Sequence, residues 1–410
     1  MRGRIASIGA LALIALSTTA FAQKVNYFNF SGAGDNAPYL ESMRKAFEAK
    51  NPGIDVNIET VAFADYFTQL QTRVASGTPM DCFELNYENF VTYAKKDVLL
   101  DLGPNFKKTG FDTKAISAKA LGAFNVDGKQ YGLPASFSNV VLFYNKALFD
   151  KAKVAYPTDA WTWKDEQSAA EKIRALDKDT YGIFQPVQFW EFYKVVKQNG
   201  GSLFSSDGKR FTVDSRQNID TLTFMTDRLL KSNVMPTQKQ CGGMGDWDLF
   251  KAGRLGMIVT GIWAFGEFTK DCPFSWDIAV EPGMKAKATH FFSNGIVISK
   301  NCANVDAAAK WAKFMSASRE AADIRVTAGW ELPAITDPQI IAAYSEITPP
   351  ANRAAVFKSL EYLVTPPVVG QMQELTDILG AQLEAARDGA KTPAQALQDA
   401  QKELIAKIKL

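Results

Sequence analysis

The 410-residue chain has a single histidine, His290. A multi-histidine metal site is therefore impossible, and a Ser-His-Asp triad would have to be built on that one residue. His290 precedes an apolar, strand-like run, where a structural role is the expectation. GxSxG, HExxH and GxxxxGKS/T motifs are also absent, so the sequence offers no nucleophile elbow, zincin helix or phosphate loop. Net charge is scarce: 46 basic residues face 44 acidic ones. Two of the basic residues, Arg2 and Arg4, lie in the first segment, leaving 44 against 44 in the remainder. A balanced chain argues against a nucleic-acid partner, which would favour a basic patch. Long apolar runs are missing beyond the N-terminus, and there is neither an internal repeat nor a low-complexity linker.

The one early apolar run, Ile8 to Leu16, follows Arg2 and Arg4 and leads to Ala20-Phe21-Ala22. Charge, length and cleavage site together read as a signal peptide over residues 1–22, with cleavage near Ala22/Gln23. The run is too short to span a bilayer. The expectation is a soluble, exported protein, with no lipid anchor because no cysteine precedes Cys82. The four cysteines, Cys82, Cys241, Cys272 and Cys302, lack CxxC spacing, which argues against zinc. An oxidising compartment permits disulfides. Three full pairings are open, and Cys241–Cys272 is preferred because both lie in polar, turn-like contexts. Cys82 is read as a buried thiol.

Strand and helix patterns alternate from the start. "VNYFNF" reads as a strand, and the helix after it carries Leu40, Met43 and Phe47 on one stripe. "DVNIETV" alternates as a strand, "DYFTQLQTRVAS" is a helix and "CFEL" a short strand. Such alternation implies a mainly parallel sheet covered by helices. The Asp-Gly of "NVDGKQYGL" signals a hairpin. "GLPASFSNVVLFYNKALFD" places Ser136, Ser138 and Asn139 directly before the apolar run Val140–Tyr144. At roughly 150 residues per domain the length suggests two or three domains, and "LGMIVTG" and "WDIAV" mark buried strands of a second α/β layer, complete by about residue 285. Helices dominate after "HFFSNGIVISK", and the last begins with a capping box from Thr392 to Gln395, with Pro393 at its first position.

"ASGTPMD", "DGKQYGLP", "VVLFYNKALFDKAKVAYP", "WTWKD", "GGSLFSSDGK", "DLFKAGRLGMIVTGIWA", "FSWDIAVEPG" and "GWELP" occur in one order. Together, over nearly the whole chain after residue 22, they resemble extracellular solute-binding protein family 1, the carbohydrate-binding subunits of ABC importers and relatives of maltose-binding protein. The resemblance implies an α/β, two-lobed periplasmic binding protein of type II, a Venus flytrap with discontinuous lobes and a ligand cleft between them. It implies an N-terminal lobe of residues 23–136 and 289–330 and a C-terminal lobe of 137–288 and 331–410. Hinge crossovers are expected near 133–139, 285–292 and 329–335, with the C-terminal helices mainly on the second lobe. The implied function is capture of a sugar, read as a neutral di- or oligosaccharide, by lobe closure and its delivery to inner-membrane permease subunits that bind transiently. No enzyme activity and no cofactor are expected, and the chain should be a monomer. The alternatives are a secreted glycan-active hydrolase or lyase and a sugar-sensing binding protein.

A sugar site needs flat aromatics for C–H faces and planar amides and carboxylates for hydroxyl rims. Most Trp and Tyr residues are packing residues, so position has to decide. Trp263 follows the strand "GMIVTG", where ligands of open α/β sheets bind, and matches a stacking position of the family. Trp190 lies at a strand-to-helix turn, and Trp330 with Glu331 lies at the last expected crossover. Trp161, Trp163, Trp247, Trp276 and Trp311 read as structural. Ser31 and Asp35 follow the first strand; Glu84, Asn86 and Tyr87 lie in or after "CFEL". Tyr66 opens a helix and is expected to reach the cleft. Ser136, Ser138 and Asn139 would form the cleft floor, Asp246 precedes a helix, and Asn294 sits at the second crossover. Arg353 opens a late helix and is expected to be solvent-exposed.

Overall fold

The computed structural model of the protein describes residues 23–77 and 80–410. The expected signal peptide, residues 1–22, lies outside them. Among the described residues no helix is long and apolar enough to cross a membrane.

Fourteen strands follow along the described chain: β1 Gln23–Asn29, β2 Ile54–Thr60, β3 Cys82–Asn86, β4 Asn125–Val126, β5 Lys129–Gln130, β6 Gly132–Ser138, β7 Val140–Asn145, β8 Tyr181–Phe184, β9 Leu255–Gly261, β10 Trp276–Ala279, β11 Thr289–His290, β12 Phe292–Ile298, β13 Leu332–Pro333 and β14 Leu363–Val364. Six form one sheet in the order β13-β6-β12-β3-β1-β2, and four form a second in the order β10-β7-β9-β8. The hairpin signal at Asp127-Gly128 is met by the pairing of β4 with β5.

Side-chain alternation explains both sheets. In β1, Val25 and Tyr27 enter one apolar cluster and Phe28 another, on the opposite face. In β7, Val141 and Phe143 face one cluster while Val140, Leu142 and Tyr144 face a second. The unbroken apolar run is thus a strand buried on both faces. The helix Ala37–Lys50 buries Leu40, Met43 and Phe47. The helix Phe63–Ser76 ends at Gly77, whose φ of 66° lets its N–H reach the Arg73 and Val74 carbonyls. Trp311 is fully buried and meets Tyr27 and Phe47 edge-on at 5.7 and 5.2 Å. The terminal helices Met372–Arg387 and Pro393–Lys407 pack with helices Phe189–Gln198 and Arg216–Leu230 beside the second sheet. Thr392 caps the last of them, accepting the Gln395 N–H at 3.2 Å.

The expected mainly parallel arrangement is corrected to a mixed one. β1 runs parallel to β2 and β3, but β12 is antiparallel to β3 and β6. In the second sheet only β8 and β9 are parallel. The reason is connectivity: β6 and β12 enter the first sheet beside segments that serve the second, outside any strand–helix–strand unit that would enforce parallel pairing.

The change from first sheet to second takes one residue, Asn139, between β6 and β7. Its Nδ2 donates to the Val356 carbonyl at 2.9 Å, and its carbonyl accepts the Ile262 N–H at 3.1 Å. Ser136, Ser138 and Asn139 are all buried. The chain returns between β10 and β12, where β11 pairs with β14. Thr289 ties this crossing to the first: its Oγ1 accepts the Val140 N–H at 3.1 Å and donates to the Val140 carbonyl. The third passage follows β13. The Ala334 carbonyl still accepts from Ser117, while Ile340, Tyr344, Ala355 and Val356 already pack beside Val141 and Phe143.

Candidate functional site

A cavity of about 440 Å³ lies where residues attached to both sheets converge. Phe30, Ser31 and Asn36 come from the loop after β1, Phe63 from beyond β2, and Asn86 and Glu88 from the end of β3 and the helix after it. Trp190 follows β8 and Trp263 follows β9 on the facing side, with Phe292 and Asn294 from β12 and Trp330 and Glu331 just before β13. Strand ends point loop side chains into a shared crevice, as open α/β sheets do. A neighbouring cavity of about 920 Å³ shares Asn36, Trp263 and Trp330 and continues past Asp35, Tyr39, Trp247, Lys270 and Arg353.

Trp263 is 38% exposed and meets Phe292 edge-on at 5.7 Å. Its ring folds back over the end of β9, which is possible only because residue 261 is glycine: a Cβ there would sit 2.0 Å from the indole. Phe292 is stacked at 4.9 Å on His290, which also meets Tyr193 edge-on at 5.1 Å. The His290 Nε2–H donates to the Trp190 carbonyl. Burial, helped by the Lys194 charge, holds His290 well below the usual imidazole range, so the ring is neutral. The lone histidine thus positions two aromatic walls of the cavity.

The polar side of the cavity rests on a buried cluster. Glu331 accepts from the Ser136 hydroxyl and from Asn294 Nδ2 at 3.1–3.2 Å, with the Arg325 guanidinium 4.0 Å away. That guanidinium lies over the Trp330 ring at 4.2 Å. Glu84 accepts the backbone N–H groups of Phe30 and Ser31 at 3.1 and 2.9 Å and so shapes the loop that carries both. Burial raises the Glu84 pKa; its bonds to Ser31 oppose this, and the Glu331 charge adds to it. Glu88 is 3% exposed, and its Oε2 has no hydrogen-bond partner. Burial pushes its carboxyl up to about 7. A buried carboxyl oxygen without a partner on a cavity wall leaves hydrogen-bonding capacity open there.

Of the residues expected in the cleft, Ser31, Asn86, Trp190, Trp263, Asn294, Trp330 and Glu331 line the first cavity, and Asp35 lines the second. Asp35 also forms an exposed ion pair with Lys270 at 3.1 Å, joining the loop after β1 to the helix Phe265–Asp271. The others are placed elsewhere. Tyr66 is a core residue, stacked on Phe28 at 4.6 Å with its hydroxyl donating to the Glu84 carbonyl at 2.7 Å. Tyr87 packs against Phe291 outside the cavity. Ser136 supports Glu331 from beneath, and Ser138 and Asn139 serve the sheet change; none of the three lines either cavity. Asp246 opens a helix over a separate cavity of about 560 Å³ beside Pro186 and Gln188.

Arg353, expected in solvent, is 1% exposed, held between Phe265 and Tyr344 and donating to the Ile347 carbonyl at 2.8 Å. Trp247 lines the second cavity while its Nε1 donates to Thr260 at 3.1 Å. The sequence reading missed Phe30, Asn36, Phe63, Glu88 and Phe292. Phe63, 58% exposed, opens the helix Phe63–Ser76, and an aromatic at a helix start directly after a strand was the signal the sequence offered. All four cysteines are free thiols, so the preferred Cys241–Cys272 bridge is not formed.

A family model described as bacterial extracellular solute-binding protein matches residues 32–322. An ABC substrate-binding protein of Listeria monocytogenes, solved in complex with cycloalternan, superposes with a TM-score of 0.90 at 46% identity, over 94% of this chain and 98% of that one. A Brucella abortus (strain 2308) protein, named only as a binding protein, is 24% identical over 96% of this chain and 95% of its own. The arabinooligosaccharide-binding protein of Bacillus subtilis is 24% identical over 72% of this chain and 70% of its own.

Proposed function

This chain belongs to the bacterial extracellular solute-binding protein family, and from that premise we propose that it captures a neutral sugar between two lobes and delivers it to an ABC import permease. The family is one of binding proteins, not of enzymes. The observation that carries the ligand class is the composition of the cavity: six aromatic rings with amides and carboxyls, and neither lysine nor arginine. Rings cover the apolar C–H faces of a sugar, while Asn36, Asn86, Asn294, Glu88 and Glu331 meet hydroxyls. A cation-free wall selects against phosphorylated and acidic sugars. The Listeria relative at 46% identity was solved with cycloalternan, which makes an oligosaccharide the ligand to test first.

In this reading residues 23–138 with 292–336 form one lobe and 140–279 with 338–410 the other. They turn about Asn139, the β11–β14 pair and the segment after β13. A sugar held on one wall leaves its other hydroxyls in water; closure adds the second set of contacts and shifts the population toward the closed state. The protein acts as a periplasmic monomer, with its leader removed near Ala22, and meets the permease transiently.

Cycloalternan is expected to raise the melting temperature, since it binds only the native state. Calorimetry on Trp263→Ala should show affinity weakened by about 1–3 kcal/mol with the fold intact. An unchanged affinity would remove Trp263 from the site. A panel of neutral oligosaccharides in which none shifts the melting temperature would overturn the proposal.

A further inference from the structure

Cys82 and Cys302 are 220 positions apart in the chain and come together at the ends of two neighbouring central strands of the first sheet, β3 and β12. Cys82 opens β3, and its register partner on β12 is Ile298. The chain turns directly after β12, where the Cys302 N–H bonds to the Ser299 carbonyl at 3.0 Å and the Ser299 N–H to the Asp81 carbonyl at 3.0 Å. This fold-back sets the Cys302 thiol against the residue before Cys82: its Sγ donates to Asp81 Oδ1 at 3.4 Å. Both sulfur side chains enter the same apolar cluster, on the same face of the sheet, Cys82 fully buried and Cys302 half-buried. Cys241 and Cys272 also share an apolar cluster, but each keeps its own charged neighbours, Arg254 and Asp246 for one, Lys251 and Glu267 for the other, and among the described residues no bond links them as Asp81 links Cys302 to the start of β3.

We propose that Cys82 and Cys302 are a redox-modification site, a thiol pair that closes to a disulfide in the oxidising surroundings of an extracellular protein. The oxidant is a small-molecule disulfide such as oxidised glutathione. The half-buried Cys302 loses its proton to solvent, and its thiolate attacks one glutathione sulfur, forming a mixed disulfide and releasing the first glutathione thiolate. Cys82 then loses its proton, and its thiolate attacks Cys302 Sγ, expelling the second. Two protein thiols are oxidised and one disulfide is reduced to two thiols. Burial raises both thiols, and the neighbouring Cys302 and Asp81 add to this at Cys82, so closure quickens as pH rises. The bond would pin the ends of β3 and β12 that lie opposite Asn86 and Asn294, away from the cavity.

The test is thiol titration under denaturing conditions of the full chain, after incubation of the native protein with oxidised glutathione at pH 8.5, with peptide mapping. The titratable thiols should fall from four to two, and the map should yield a cross-linked Cys82–Cys302 peptide. In Cys302→Ala, which avoids disturbing the buried position, all three remaining thiols should persist. Four free thiols after incubation, a stable glutathione adduct on Cys302, or a Cys241–Cys272 peptide in place of the expected one would overturn the assignment.

Discussion

Replacing Lys194 with methionine is expected to destabilise the protein by about 3–5 kcal/mol, the cost of leaving a buried charge partner unpaired. Lys194 is 0% exposed and lies 2.6 Å from Glu191. It also contacts Glu281, a second buried carboxyl. The network continues through Gln185, which donates to Glu191 at 2.7 Å and accepts from Arg228 at 2.7 Å, and on to Glu166. Burial opposes the lysine's charge, but its two carboxyl neighbours outweigh burial and raise its pKa. Burial also pushes Glu281 up to about 8, against the pull of Lys194. Methionine keeps the length of the side chain, so the loss is electrostatic. Without the cation that pulls against burial, Glu281 is held more strongly in its protonated form, and the penalty should shrink as pH falls. Urea midpoints at pH 5.5 and 8 measure this. A loss below about 1 kcal/mol, equal at both values, would mean that the network contributes nothing net. The same helix carries Trp190, whose carbonyl holds His290, so sugar affinity should fall with stability.

The sequence made some of these features legible and hid others for identifiable reasons. Strand periodicity located β1, β2, β3, β7 and β9, because alternation and apolar runs are local properties. Trp263 and Trp190 could be singled out because each follows a strand end, and Trp330 because it lies beside a crossover; a large aromatic in such a place has little to pack against within its own element. Tyr66 could not be placed, since its hydroxyl finds the Glu84 carbonyl through tertiary contact alone. Asp246 illustrates the same limit: its helix start is visible locally, but the side chain faces another cavity. The polar run Ser136–Asn139 was read as cleft floor, whereas its groups serve the backbone and Glu331 at a sheet change. The antiparallel course of β12 also escaped the reading, because strand direction depends on which lobe the preceding segment serves. Glu88 looked like any helix-start carboxylate until burial set it apart.

That carboxyl carries the second large expectation: Glu88→Gln should stabilise the protein at pH 8 by about 3 kcal/mol while weakening sugar binding. Burial raises Glu88 from an ordinary 4.5 to about 7. Between those values the folded chain holds a proton that the unfolded chain has released, so stability falls as pH rises through this window and levels off above it. The gap, at about 1.36 kcal/mol per pH unit, sets the size of the gain when a neutral amide replaces the carboxyl. Below pH 4.5 both states are protonated and the variant should match the parent. Neighbouring groups do not obscure the measurement. Tyr87 and Tyr193 are raised by burial above the tyrosine range, and His290 is lowered below that of imidazole. Glu281 titrates near 8 in parent and variant alike, so it cancels in the difference. Affinity should move the other way, because the free Oε2 is lost as an acceptor, at about 1–3 kcal/mol for a buried partner left unpaired. Such opposition is what a binding site produces when it keeps a polar group unsatisfied for its ligand. Denaturant curves for the two proteins that run parallel from pH 5 to pH 8, with equal sugar affinity, would mean that Glu88 neither titrates in the fold nor meets the ligand.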